Sequence, residues 1–269
     1  MLSVGLLGCG EIRRSTLSTI ATTPIEGISL GVICCRSTRK QAAGDLFPDA
    51  TVVEHWSDYC GPALNIIIEA ACQDAVTNLG PKILAAGSDL FLLSLGALAD
   101  KKLHQNMLEA AEAGNSRIII MAEALAGFDG LHSLRHAGLK SVLYRSTKPP
   151  KAWKGTLAET LIDLDGLNGS TVFYRSNAVE AALQFLRNAN MAAAVALPGV
   201  GFEKTQVELV ADANSCNNSG QIIATSKCAT LNLELRGEGF AGNSKSSQIT
   251  ALRVVAALEQ RVARLYFAS

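Results

Sequence analysis

Short apolar runs separated by polar stretches of helical length recur through the first half of the chain. Leu2–Leu7 is the first, and Ile28–Cys35, Thr51–Val53, Leu64–Ala71, Asp89–Leu95 and Arg117–Met121 follow. Most are apolar at nearly every position rather than at alternate ones, the pattern of strands covered on both faces. Between them the sequence predicts helices. Ser15–Ala21 is one, Gln73–Leu79 a second that Gly80 breaks, Pro81–Ala86 a third opened by its proline, and Lys101–Ala113 a fourth closed by Gly114. Strands alternating with helices at this spacing predict a parallel, doubly wound sheet. Such sheets bind ligands beyond the carboxyl ends of their strands. That rule gathers Gly8–Ile12, Arg36, Ala71, Gly96 and Ala122–Ala124 on one rim.

The pattern changes after Ala124. Leu131–His136 predicts a short helix ended by Gly138, and Leu139–Ser146 a strand broken by Thr147-Lys148-Pro149-Pro150. Leu157–Leu164 and Ser170–Ser176 fit strand or helix equally. Val179–Asn188 predicts a helix, and Asn190–Ala196 continues small and apolar. Gln206–Asp212 alternates as a half-buried strand does, with Val207, Leu209 and Ala211 on one face. Gly220–Thr225 and Ala229–Gly237 predict further strands. Ile249, Leu252, Val255, Ala256, Leu258 and Val262 fall at helical spacing. The expected organisation is a first domain over residues 1–125, a second over 126–246, and a helix at 247–267 that returns to the first.

Composition narrows the class. The chain has 269 residues, 48% apolar and 18% charged, with a formal net charge of zero. That suits a soluble protein with a full core, and neither a basic cluster nor an aromatic–basic stripe suggests nucleic acid. No apolar run reaches the ~18 residues that cross a membrane. The start has no basic flank or small-residue cleavage site of a secretory signal. The seven cysteines are odd in number and include no C-x-x-C. They read as reduced thiols of a cytoplasmic protein, without a zinc site.

The chemistry starts at Leu2–Arg14, where an apolar run enters Gly8-Cys9-Gly10 and leaves through a helix-forming segment. This is the opening of a Rossmann unit. Gly8 permits the tight turn. Gly10 lets a pyrophosphate approach the start of the following helix, whose first residues include Ile12. Arg13 stands where the fingerprint has its third glycine. The alternative is a plain strand–turn–helix without a ligand. After the second strand, Arg36, Ser37 and Thr38 replace the acid that would bind a ribose 2′-hydroxyl, which favours a 2′-phosphate and NADP over NAD. Otherwise Ser37 or Thr38 caps the next helix and the basic residues are solvated.

Several stretches, in order and spacing, resemble the L-aspartate dehydrogenase family. They are Leu93-Ser94-Leu95-Gly96-Ala97-Leu98-Ala99-Asp100, Ala124-Leu125-Ala126-Gly127-Phe128-Asp129, Thr147-Lys148-Pro149-Pro150, Asn188-Ala189-Asn190-Met191-Ala192, Gly199-Val200-Gly201-Phe202, Ala211-Asp212 and Asn243-Ser244-Lys245-Ser246-Ser247. The resemblance runs nearly end to end. It implies a Rossmann domain followed by an α+β domain on a mixed sheet, with NAD or NADP in the cleft between them. It also implies reversible oxidative deamination of L-aspartate to oxaloacetate and ammonia through iminoaspartate, which can feed NAD synthesis. Relatives of this kind commonly form homo-oligomers, as homodimers through the second domain's sheet. Ala124 and Asn190 match cofactor-contacting residues of the family, though Asn190 also reads as a capping or turn asparagine. The family's catalytic histidine aligns with Gly220, and none of the four histidines, His55, His104, His132 and His136, falls there. Glu123 and Ala213 also depart from the family, which has glycine and proline there. Two readings follow. One is an amino-acid dehydrogenase whose proton transfer falls to water or to Lys148, which reads otherwise as a surface lysine before a Pro-Pro turn. The other is a non-catalytic relative that binds a dinucleotide or a protein partner.

Overall fold

The computed structural model describes residues 1–8, 10–59, 61, 63–121, 125–185, 189–237, 239–240 and 243–265. It divides into two compact units, Met1–Met121 with Thr250–Phe267, and Ala122–Ile249.

The first unit is built on β1 (Leu2–Leu7), α1 (Glu11–Thr22), β2 (Ile28–Cys34), α2 (Ser37–Leu46), β3 (Thr51–Val53), β4 (Ile66–Glu69), α3 (Gln73–Ala85), β5 (Asp89–Leu92), α4 (Lys101–Ala113) and β6 (Ile118–Ile120). The strands form one sheet in the order β3-β2-β1-β4-β5-β6, and every neighbouring pair is parallel. This is the doubly wound sheet expected. The order reverses between β1 and β4, the crevice where such folds bind ligands. All residues of β4 and β5 are buried, as strands covered on both faces must be. Asp100 caps α4 by accepting from the N–H groups of Lys102 and Leu103.

Three local expectations need correction here. Gly80-Pro81 does not divide α3, which runs unbroken to Ala85. Val76, Gly80, Ile83 and Leu84 form one buried stripe across the pair. Burying that stripe outweighs the hydrogen bond the proline forfeits. At α2 neither Ser37 nor Thr38 is the cap. Arg36 holds the N-cap position, and no side chain caps the helix. The strand ending in the Glu69 region is also shorter than Leu64–Ala71, because Ala70 and Ala71 turn toward α3.

The second unit begins with α5 (Phe128–His136) and β7 (Leu139–Lys148). It continues through the short helices α6 (Pro150–Trp153) and α7 (Ala158–Leu161), then β8 (Ser170–Asn177), α8 (Ala178–Gln184), α9 (Ala189–Ala196), β9 (Gln206–Asp212), β10 (Asn218–Ser226) and β11 (Thr230–Gly237). Five strands form a sheet in the order β11-β10-β7-β9-β8. It is mixed, because β7 and β9 are parallel and the remaining pairs antiparallel. The segments left open resolve as helix at α7 and strand at β8. A two-stranded ribbon follows, β12 (Gly239–Phe240) with β13 (Asn243–Ser247). The last helix, α10 (Gln248–Val262), buries Val254 and Leu258 in the first unit's core.

One face of the mixed sheet carries the second core. Val142, Tyr144, Leu209, Ile222 and Ala224 pack with Trp153, Phe185 and Val195. The other face is polar and tied by one chain of hydrogen bonds. Arg175 and Arg145 both donate to Glu208, Arg145 also donates to Gln221, and Gln221 donates to Asn232. That chain crosses all five strands.

Candidate dinucleotide-binding rim and catalytic face

At the carboxyl end of β1 the chain turns through Gly8, whose φ is +130°. A Cβ built there would lie 2.2 Å from the carbonyl oxygen of Ala70. Glycine is therefore demanded by backbone packing as well as by the turn. Gly10 is the N-cap of α1 and brings no side-chain acceptor. A Cβ there meets nothing within 4 Å. The opening N–H groups of a helix lack partners within it, so α1 starts toward free space with the donors and dipole that receive a phosphate. Ile12 packs its side chain against the first unit's core, and its N–H is among the opening donors of α1. Arg36 follows β2 and is exposed, at the rim position that contacts an adenosine ribose. Cys9, Glu123, Ala124 and the side chain of Arg13 lie outside the described residues.

Beside this rim sits a residue that sequence reasoning passed over. Glu69, the last residue of β4, is 1% exposed. One carboxylate oxygen accepts from the Ala71 N–H at 2.8 Å and the Ser94 hydroxyl at 2.9 Å. The other accepts from the N–H groups of Ser94 at 2.8 Å and Leu93 at 3.3 Å. Burial pushes its pKa up, and these four donors pull against that rise. The sequence signal was an acid closing the run Ile66-Ile67-Ile68, since a buried acid demands partners. Which partners depends on β4 lying beside β5, which no local pattern shows.

In the second unit Gly220 lies against Met191, the residue after Asn190, and Lys148 lies two residues beyond Ser146, the partner of Gly220 on β7. Gly220 is buried in β10 and pairs with Ser146 of β7. A Cβ at Gly220 would lie 2.6 Å from Cδ2 of Leu125 and 3.2 Å from Cε of Met191. Position 220 thus faces the neighbours in sequence of Ala124 and Asn190, the two residues matched to cofactor contacts. Asn190 is the second residue of α9 and half-buried, so it is not a turn asparagine.

Lys148 requires the clearest correction. It is neither a surface residue nor part of a loop. It ends β7 and is 8% exposed, on the same face as Ser146. Its ammonium stands 5.1 Å from the centre of the Trp153 ring, within cation–π range. Trp153 is fixed in turn by donating from Nε1 to the carbonyl of Val210 at 3.0 Å. The turn after β9 covers residues 213–217, since Asn218 and Ser219 belong to β10 and extend it beyond the expected start at Gly220. Asp212 organises the remaining turn by accepting from the Asn214 N–H. None of the four histidines shares this face. His55 and His104 belong to the first unit, and His132 and His136 stack edge to face on the exposed side of α5.

Comparison with known proteins agrees with this layout. The family described as aspartate dehydrogenase, C-terminal, matches residues 129–261. The family described as homoserine dehydrogenase, NAD binding domain, matches residues 8–121. L-aspartate dehydrogenase of Serratia proteamaculans is 34% identical over 262 residues, covering 97% of this chain and 98% of the relative. That of Acinetobacter baylyi is 38% identical over 203 residues, 76% of this chain and 77% of its own. The crystal structure of Thermotoga maritima aspartate dehydrogenase matches with a TM-score of 0.78 at 23% identity over the whole of both chains. A dinucleotide-type rim, a mixed-sheet second unit and this end-to-end identity together place the chain in the L-aspartate dehydrogenase family.

Proposed function

We propose that the chain is a nicotinamide-dinucleotide-dependent oxidoreductase that deaminates L-aspartate or a similar small amino acid. The observation that carries this reading is the grouping of Leu125, Met191 and Gly220 on one buried face, beside Asn190 and on the same face as Lys148. Gly8, the uncapped start of α1 and the N–H of Ile12 fit a pyrophosphate. Asn190 and Ala124 are assigned to the cofactor by their match to the family. When bound, the dinucleotide supplies the hydride acceptor for the substrate α-carbon.

This chain's own groups are left with binding and proton transfer. A buried ammonium is suited to holding a substrate carboxylate and can pass a proton to a bound group. Lys148 is therefore assigned the proton transfer that the family gives to histidine, directly or through water. Arg36, with Ser37 beside it, supports NADP as the preferred cofactor, since a guanidinium matches a 2′-phosphate. Assembly as a homodimer through the five-stranded sheet rests on the family resemblance. Among the described residues, Cys34, Cys35, Cys72, Cys216 and Cys228 are outside any disulfide, which suits a cytoplasmic setting. No helix among the described residues is long and apolar enough to cross a membrane.

One observation favours a second reading, that of a binding protein without turnover. The space before Gly220 is filled by Leu125 and Met191, so no titratable group stands at the family's histidine position. Aspartate-dependent reduction of NADP and NAD by the purified protein separates the two. Turnover above the heat-killed control supports the dehydrogenase. Cofactor binding without turnover supports the second reading.

A further inference from the structure

We propose that Glu69 is a positioning residue for the nicotinamide half of the cofactor, acting as a clip between the turns after β4 and β5. The inference rests on the dinucleotide-binding reading of the rim and goes beyond it.

Backbone bonds anchor both turns, the Ala70 N–H to the Leu7 carbonyl at 2.8 Å and the Leu93 N–H to the Glu69 carbonyl at 3.3 Å, and the Glu69 side chain adds bonds between them. After β5, Ser94 has φ −80° and ψ 58°, and Leu95 donates its N–H to the Leu93 carbonyl at 2.8 Å. This is an inverse γ-turn, common where strands end. Its centre, Ser94, gives both its N–H and its hydroxyl to Glu69, and Leu93 adds its N–H. After β4, this carboxylate accepts from the Ala71 N–H. One buried side chain therefore fixes two adjacent turns relative to each other. The Ala70 carbonyl, at the centre of the first turn, is also the atom against which Gly8 rests.

The location decides which part of a ligand is affected. In a doubly wound sheet the strands on the two sides of the switch point serve the two halves of a dinucleotide. The β1-β2-β3 side, with Arg36, faces the adenosine. Glu69 lies on the β4-β5-β6 side, which faces the nicotinamide. It is 1% exposed and both its oxygens accept from protein donors, so its effect is indirect.

A carboxylate is required because three of its four partners are backbone N–H groups that can only donate. In Glu69→Gln the new amide N–H must point at the Ala71 N–H or at those of Leu93 and Ser94. Either orientation sets donor against donor in a buried site. The size and shape of the side chain hardly change.

The test measures dissociation constants for NADH, NADPH and ADP-ribose with the unsubstituted protein, Glu69→Gln and Ser94→Ala. ADP-ribose carries the adenosine and both phosphates but no nicotinamide. Glu69→Gln should weaken the better reduced cofactor about tenfold or more, the effect of a lost buried acceptor. ADP-ribose should stay within about twofold, as expected of an independent site. Ser94→Ala removes one bond of four and should show the same split at about threefold. If Glu69→Gln does not fold, the split in Ser94→Ala decides the question. An equal loss for all ligands makes Glu69 a general structural residue and overturns the inference, as does no loss for any. Failure of the unsubstituted protein to bind either reduced cofactor overturns the dinucleotide reading and this inference with it.

Discussion

Replacing Gly220 with histidine should destabilise the second unit, and removing the Leu125 side chain should make the histidine tolerable. The Cβ alone would stand 2.6 Å from Leu125 Cδ2, closer than such atoms approach. Leu125 is 0% exposed within the core cluster that includes Trp153, so it has little room to retreat. The methionine end at 3.2 Å can move aside more easily. Overpacking of this kind costs about 1–3 kcal/mol. Leu125→Ala alone leaves a cavity and costs about 2–5 kcal/mol. In the double variant the imidazole fills what the leucine vacates, so the two costs should fall short of their sum by about 1–3 kcal/mol, a coupling typical of residues in contact. Denaturant unfolding followed by the fluorescence of Trp153, with Trp56→Phe as background, reads the second unit alone. Strict additivity would refute the reasoning, because it would mean that position 220 does not face Leu125. The same variants test the chemistry. Gly220→His with Leu125→Ala should raise aspartate-dependent turnover over Leu125→Ala alone by about 10²-fold or more, the low end of general-base catalysis.

Other substitutions probe the surrounding structure. Asp89 accepts from the backbone and side chain of Arg117 and from Arg261 of α10. Asp89→Ala should cost about 1–3 kcal/mol, after discounting for the exposure of Arg117, and a melting temperature unchanged to within a degree would contradict this. Lys148→Met should leave cofactor affinity intact while lowering turnover by about 10²–10⁴-fold; parallel losses in both would assign it to packing on Trp153. Burial raises the Glu208 pKa, but hydrogen bonds and charges of Arg145 and Arg175 outweigh it, and the net shift is downward. A carboxylate with a depressed folded pKa contributes stability above its unfolded pKa and loses it as pH falls through the folded value. Unfolding measured from neutral pH into the acid range should therefore show a limb that Glu208→Gln removes, and an unchanged limb would assign the acid loss elsewhere.

How much of this was legible in the sequence depended on how local the cause was. The strands of the first unit show as apolar runs because burial on both faces leaves no polar positions. α4 shows at both ends, through Asp100 and Gly114. α3 misled because Gly80-Pro81 is a local break, while the stripe that overrides it packs against distant residues such as Met107. Lys148 misled for the opposite reason. The Pro-Pro break is real, but a residue before proline favours extended backbone, so the strand continues up to the proline. Attention to that rule would have placed Lys148 in β7. The buried setting of Gly220 was beyond reach, since Leu125 and Met191 come from separate segments. The same holds for Glu69, whose partners lie on the neighbouring strand's turn.

The central claim is that the first unit's rim binds a nicotinamide dinucleotide. Titrating the purified, folded protein with NADPH and separately with NADH, and following the nicotinamide fluorescence, tests it most directly. Saturable enhancement is predicted with both, tighter with NADPH, and Arg36→Ala should reduce that preference. A flat response to both ligands would contradict the claim and leave the fold without the chemistry proposed for it.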